Sequence, residues 1–187
     1  MQKLIRYVVL LLVALTGCQS WQTELSMPIR NPGFEGAVVG NQQIMPGWEY
    51  EEHAGPWRGQ AFAVASDFGA GPGNNGALRV TRIHEEVYSL VHQKVRIRPE
   101  DAGKKMRFSA MLKTDKVGAT GWKLAVNMLN GANILGQFLS VPVIGTSEWS
   151  LVFVTGVIPK GATDIDIGFL HMDSGTGWAA DPVLVIE

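Results

Sequence analysis

The chain has 187 residues, 22 of them Gly and 9 Pro, with 46% apolar and 18% charged. That apolar share excludes wholesale disorder. The Gly content, nearly twice the usual share, lacks the three-residue period of collagen, and the length suits one domain with a real core. With 16 basic against 17 acidic residues, charge gives no reason to expect a nucleic-acid partner, and none is expected.

Lys3 and Arg6 precede an apolar run over residues 7–15, and Thr16 and Gly17 stand before Cys18. The run is about half of the ~20 apolar residues that a bilayer span needs, so residues 1–17 read as a signal peptide. Leu15, Thr16, Gly17 and Cys18 together resemble a bacterial lipobox. That resemblance implies cleavage before Cys18 and acylation of its thiol, palmitate included, which would hold the domain at a membrane surface. Gln19 and Ser20 lack the aspartate that retains Gram-negative lipoproteins at the inner membrane, so the resemblance points to the outer membrane. A lone cysteine closes no internal disulfide, and stability has to come from the core. Residues 18–27 read as a short polar tether, and residues 28–187 as one domain.

Along that domain, alternating or continuous apolar stretches recur at 88–97, 106–112, 122–129, 134–143, 149–158, 165–172 and 183–186. Turn residues separate them, which predicts an all-β sandwich. Asn130-Gly131 lies between two such runs and predicts a hairpin, because both residues accept the positive φ of a tight turn. Ile165, Ile167 and Phe169 alternate with Asp164, Asp166 and Gly168, which places the aspartates on an outward, solvated face. Residues 66–76 hold four glycines and Pro72 and are expected to form a mobile surface loop. No segment recurs at a fixed period, which argues against a solenoid or propeller.

Near the start of the domain, Asn31-Pro32-Gly33-Phe34-Glu35 is followed by Pro46-Gly47-Trp48; later come 88–95, the turn and strand from Pro99 to Ala110, Ser147-Glu148-Trp149, and Gly175-Thr176-Gly177-Trp178. In this order the motifs resemble the carbohydrate-binding-module families with a galactose-binding-like jelly roll. The resemblance implies a jelly-roll β-sandwich and a glycan or cell-wall polymer as partner. It also implies a structural calcium held by the Glu of the Phe-Glu pair and an Asp after the late aromatic, since hard oxygen ligands suit that ion. Glu35 matches. The late motif reads Trp178-Ala179-Ala180, with its carboxylate one position on at Asp181, and strand alternation aims that side chain the wrong way unless a bulge at Pro182 re-aims it.

Phe34, Trp48, Trp149 and Trp178 are expected as core residues, because each stands at the start of a strand-like run. Tyr50, Trp57 and Trp122, flanked by charged residues or Gly-rich turns, are the expected sugar platform, where an aromatic face stacks on the C–H face of a ring. For catalysis the signals are poor. His84-Glu85-Glu86-Val87-Tyr88 lacks the second His of a zinc protease, and neither a nucleophile elbow nor a P-loop is present. Glu51, Glu52 or Asp173 could serve a glycosidase that uses carboxylates remote in sequence. The reading is therefore a non-catalytic, membrane-tethered glycan-binding module. The alternatives are an envelope assembly lipoprotein that binds another protein and a small carbohydrate-active enzyme.

Overall fold

The computed structural model describes residues 24–39, 42–53, 55–56 and 61–187; the leader, Cys18 and Trp57 lie outside the described residues. The strands are β1 (Leu25–Met27), β2 (Ala37–Val39), β3 (Gln42–Ile44), β4 (Glu49–Glu52), β5 (Gly55–Pro56), β6 (Phe62–Asp67), β7 (Ala77–Arg82), β8 (Ser89–Arg96), β9 (Lys105–Asn130), β10 (Asn133–Leu139), β11 (Val143–Val157), β12 (Asp164–His171) and β13 (Thr176–Ile186). Two single 3-10 turns, Pro72–Asn74 and Pro99–Asp101, interrupt them.

Antiparallel pairing runs β5-β4-β8-β12-β9-β13-β7-β6, with β1 added on β13 and with β10 and β11 on β9; β2 and β3 pair apart. The long strand β9 folds this sheet into two layers. Residues 105–115 pair with β13 and β11, whereas residues 122–130 pair with β12 and β10. Between the halves, Lys116 and Gly121 take positive φ, +54° and +79°, and Gly121 does so without the strain a Cβ would add. The two strands expected at 106–112 and 122–129 are thus one strand that changes layer.

Alternation fills the space between the layers. Met106, Phe108, Ala110 and Leu112 from the first half of β9, and Trp122, Leu124, Val126 and Met128 from the second, are all fully buried. Phe169 of β12 is the hub: its ring centroid lies 5.6 Å from Phe34, 5.6 Å from Trp48, 5.8 Å from Phe108 and 5.9 Å from Trp122. Each such ring contributes on the order of 2 kcal/mol from burial alone. The chain is an all-β jelly-roll sandwich, and Phe34 and Trp48 are core residues in it, as their sequence positions predict.

Four expectations are corrected. Leu25–Met27, read as tether, forms strand β1 on β13, so the folded body starts earlier than residue 28. Asp166 is 7% exposed rather than solvated, because its Oδ1 lies 2.8 Å from Nδ1 of His92 on the next strand. Residues 66–76 are not loop throughout: Ser66 and Asp67 close strand β6, and Pro72–Asn74 form a 3-10 turn, next to which Gly71 donates its N–H to Asn75. Trp122, expected on the surface, is enclosed, for reasons that belong with the site.

A candidate functional site lined by Trp149 and Trp178

Trp178 sits on β13 opposite Arg79 of β7 on one side and Lys113 of β9 on the other. On the far side of Lys113, strand β11 carries a bulge. Ser147 pairs with Thr114 and Ser150 with Leu112, so both Glu148 and Trp149 stand opposite the single residue Lys113. A bulge re-aims side chains that strict alternation would send to opposite faces. Here it brings Trp149 to the same outer face as Trp178, with Lys113 between them.

The result is an open cleft of about 530 Å³ lined by Asp67, Ala70, Lys113, Thr114, Asp115, Thr146, Glu148 and the two tryptophans. Both indoles are half-buried. Trp178 Nε1 donates to Asp67 Oδ2 at 3.2 Å, which fixes one ring, and Arg79 pairs with the same carboxylate at 3.5 Å. Lys113 Nζ meets Glu148 at 3.2 Å. At the floor the Thr114 and Ser147 hydroxyls are 2.9 Å apart, the Thr146 hydroxyl donates to Asp115 at 3.2 Å, and the Lys116 N–H donates to Thr146. Chemically, the cleft offers two flat apolar faces ringed by hydrogen-bond acceptors and one ammonium.

The platform expected from Tyr50, Trp57 and Trp122 does not form among the described residues. Trp122 has no exposed surface: it stacks on Phe169 and donates its Nε1–H to the Trp178 carbonyl at 3.0 Å. Its place in the alternation of β9 is inward, and the adjacent Gly-rich turn that suggested exposure is the crossing between layers. Tyr50 is half-buried against the core and donates its hydroxyl to Glu52 at 3.2 Å. Trp57 lies outside the described residues.

Conversely, Trp149 and Trp178, expected in the core, line the cleft. In β11 the residues from Leu151 to Val154 are apolar at every position, so their parity hides which side faces out. In β13 the structure settles the parity: a Cβ on Gly177 would lie 2.5 Å from the Trp122 ring, so Gly177 is the inward position and Trp178 the outward one.

The residues of the expected calcium site do come together. Glu35 and Asp181 line one cleft of about 330 Å³ with Pro32, Gly33, Phe68, Asn75 and Gly76. The pairing of β13 with β9 slips between Ala180 and Val183, and Asp181 takes φ +51°, so a bulge does redirect this carboxylate. Asn75 Nδ2 donates to Asp181 Oδ1 at 3.1 Å. Two carboxylates are hard-oxygen donors of the kind calcium takes, so they fit the ion in kind, but no group of three or more acidic, His or Cys side chains gathers to hold a metal among the described residues.

Two of the three carboxylates considered for catalysis, Glu52 and Asp173, are built into the fold. Glu52 is buried and accepts from Tyr50 and from the N–H groups of Ala61 and Phe62. Asp173 accepts from the Thr120 N–H and hydroxyl and from the Ser174 N–H, which hold its carboxyl at about 2.

No family model and no curated protein sequence matches the chain. Solved structures do share its fold. A cyclase from Fischerella sp. TAU superposes with a TM-score of 0.62 at 15% identity, over 88% of this chain and 98% of its own. A xylan-binding domain of carbohydrate-binding module family 22 gives 0.52 at 13% identity, over 76% and 88%. The enzymatically active domain of tailspike protein 4 from bacteriophage CBA120 gives 0.57 at 9% identity, and there the chain covers 76% of its own length but only 20% of the tailspike. At these identities the likeness is one of fold: the jelly roll is shared by glycan-binding modules and by enzymes alike.

Proposed function

We propose that the chain is a non-catalytic glycan-binding module of the bacterial outer membrane, tethered through lipid on Cys18, and that it holds its glycan in the Trp149–Trp178 cleft. The observation that carries this reading is the pairing of two half-exposed indoles in one cleft rimmed by Asp67, Asp115, Glu148 and Thr146. Indole faces stack on sugar C–H faces while carboxylate and hydroxyl groups bond the ring hydroxyls. Asp67 and Glu148 are ion-paired within the protein, and Asp115 accepts only from the Thr146 hydroxyl. The xylan-binding neighbour supports the reading at the level of fold. The test is a glycan array followed by calorimetry on the purified protein. Binding to a polysaccharide that is lost in Trp149→Ala and Trp178→Ala supports it, and a folded protein that binds no glycan refutes it.

The same reading gives the Glu35–Asp181 cleft a structural calcium, held by those two carboxylates, which would neutralise their charge and join the N-terminal segment to the last strand.

One observation favours a second reading, docking to another envelope protein. Strand β11 pairs only with β9 among the described residues, and its outer face exposes Leu151 at 65% and Phe153 at 59%. A long apolar edge of this kind is a ready template for strand addition. A stoichiometric protein partner that survives Trp149→Ala but is lost in Phe153→Lys would favour this second reading.

A further inference from the structure

We infer that the glycan taken by the Trp149–Trp178 cleft carries a free amino group, so that its ligands are amino-sugar polymers rather than neutral or uronic ones. This rests on the glycan reading above and adds the chemical class of the ligand.

The inference comes from charge placed beside aromatic faces. Among the residues that line the cleft, Asp67, Asp115 and Glu148 are acidic and Lys113 alone is basic. The ion pairs account for two of the three carboxylates, since Arg79 neutralises Asp67 and Lys113 neutralises Glu148. Asp115 makes no ion pair among the described residues and accepts only a neutral hydrogen bond, from the Thr146 hydroxyl. It therefore leaves an uncompensated negative charge in the same cleft as two indole rings.

A carboxylate beside π-faces attracts a cation twice, by its own charge and through the ring quadrupoles. A sugar ammonium satisfies both while its ring stacks on an indole. A uronate would meet the Asp115 charge as a like charge, and a neutral or N-acetylated sugar would gain only a hydroxyl hydrogen bond from it, with no charge attraction. The cationic groups Lys113 and Arg79 stay bound to their carboxylates and need not be displaced.

The experiment is isothermal titration of the full chain, in detergent, with a glucosamine pentamer and with its fully N-acetylated counterpart. It is run at a pH where the amines are protonated and again where they are neutral. The free-amine oligomer is expected to bind about tenfold tighter at the lower pH, the size of one partly desolvated cation–π and charge contact. The preference should shrink when the amines are neutral and as salt rises. Asp115→Asn, checked for folding by thermal melting, should remove the preference, so that the two oligomers bind with equal affinity. Thr146→Val removes the hydroxyl that bonds Asp115 but keeps the charge, and should retain the preference. If Asp115→Asn does not fold, the pH and salt dependence of the unaltered protein decides the matter.

Equal affinity for the two oligomers, or a preference that survives Asp115→Asn or amine deprotonation, overturns the inference. Binding to xylo-oligosaccharides with no gain from an amine overturns it too, while leaving the glycan reading standing. A folded protein that binds no sugar at all overturns both.

Discussion

Trp122 and Trp178 are joined by one hydrogen bond and differ in what they do for the protein. Trp122 donates into the carbonyl of Trp178, and its ring is enclosed by Phe169 and His171. Trp122→Ala would open a cavity at the centre of the sandwich and is expected to cost about 3–5 kcal/mol. Trp178→Ala removes a half-exposed ring and should weaken glycan binding at least about tenfold, with only a small change in melting temperature. Chemical denaturation and calorimetry of the two variants separate these roles. The buried titratable groups set the pH dependence. Burial lowers His171 from its ordinary 6.5 to about 4. Burial alone would raise Asp101, but hydrogen bonds from Arg98 and Lys104 hold it at about 2. For both groups the folded state binds fewer protons than the unfolded chain, so each contributes stability that is lost as pH falls. His92 acts in the opposite sense: burial would lower it, yet the Asp166 hydrogen bond and charge raise it, so its contribution is lost as pH rises. Thermal melts should show stability falling from about pH 6.5 toward 4 and again toward 2, and His171→Phe should flatten the upper part of that fall.

At the scale of the elements, the bulges and glycines are what aim the functional side chains. The β11 bulge opposite Lys113 brings Trp149 beside Trp178, and the β13 bulge turns Asp181 toward Glu35. Gly177 lets the β13 backbone lie against the Trp122 ring, which a Cβ would meet at 2.5 Å. Gly177→Ala should therefore destabilise the fold by about 1–3 kcal/mol, read as a lower denaturation midpoint, and should disturb the cleft through the neighbouring Trp178. Most strands were legible from alternation and from turns such as Asn130-Gly131, where Gly131 takes φ +59°. The bulges were not. A bulge is one extra residue on one of two paired strands, and it has no mark in a single strand read alone. The reading of Trp149 as a core residue failed for that reason, whereas Trp122 was misread because the Gly-rich turn beside it is the crossing between layers.

For the whole molecule, the proposed reading has two features that tie the folded body to its surroundings. If the Glu35–Asp181 cleft holds calcium, adding the ion should raise the melting temperature and a chelator should lower it, and Glu35→Gln should abolish both responses. If Cys18 is acylated as proposed, Cys18→Ala should move the protein from the membrane fraction to the soluble fraction of cells, because the acyl chains would be lost. The all-β class, the turns and the inward residues of most strands follow from contacts between near neighbours, so the order of residues was enough to read them. Which tryptophan meets solvent does not. The bond that seals Trp122 joins residues 56 positions apart, and the bond that fixes Trp178 joins residues 111 positions apart. Side-chain exposure in a sandwich is set by what the opposite layer and the neighbouring strands place over each position, and those neighbours are chosen by strand order and register rather than by proximity along the chain.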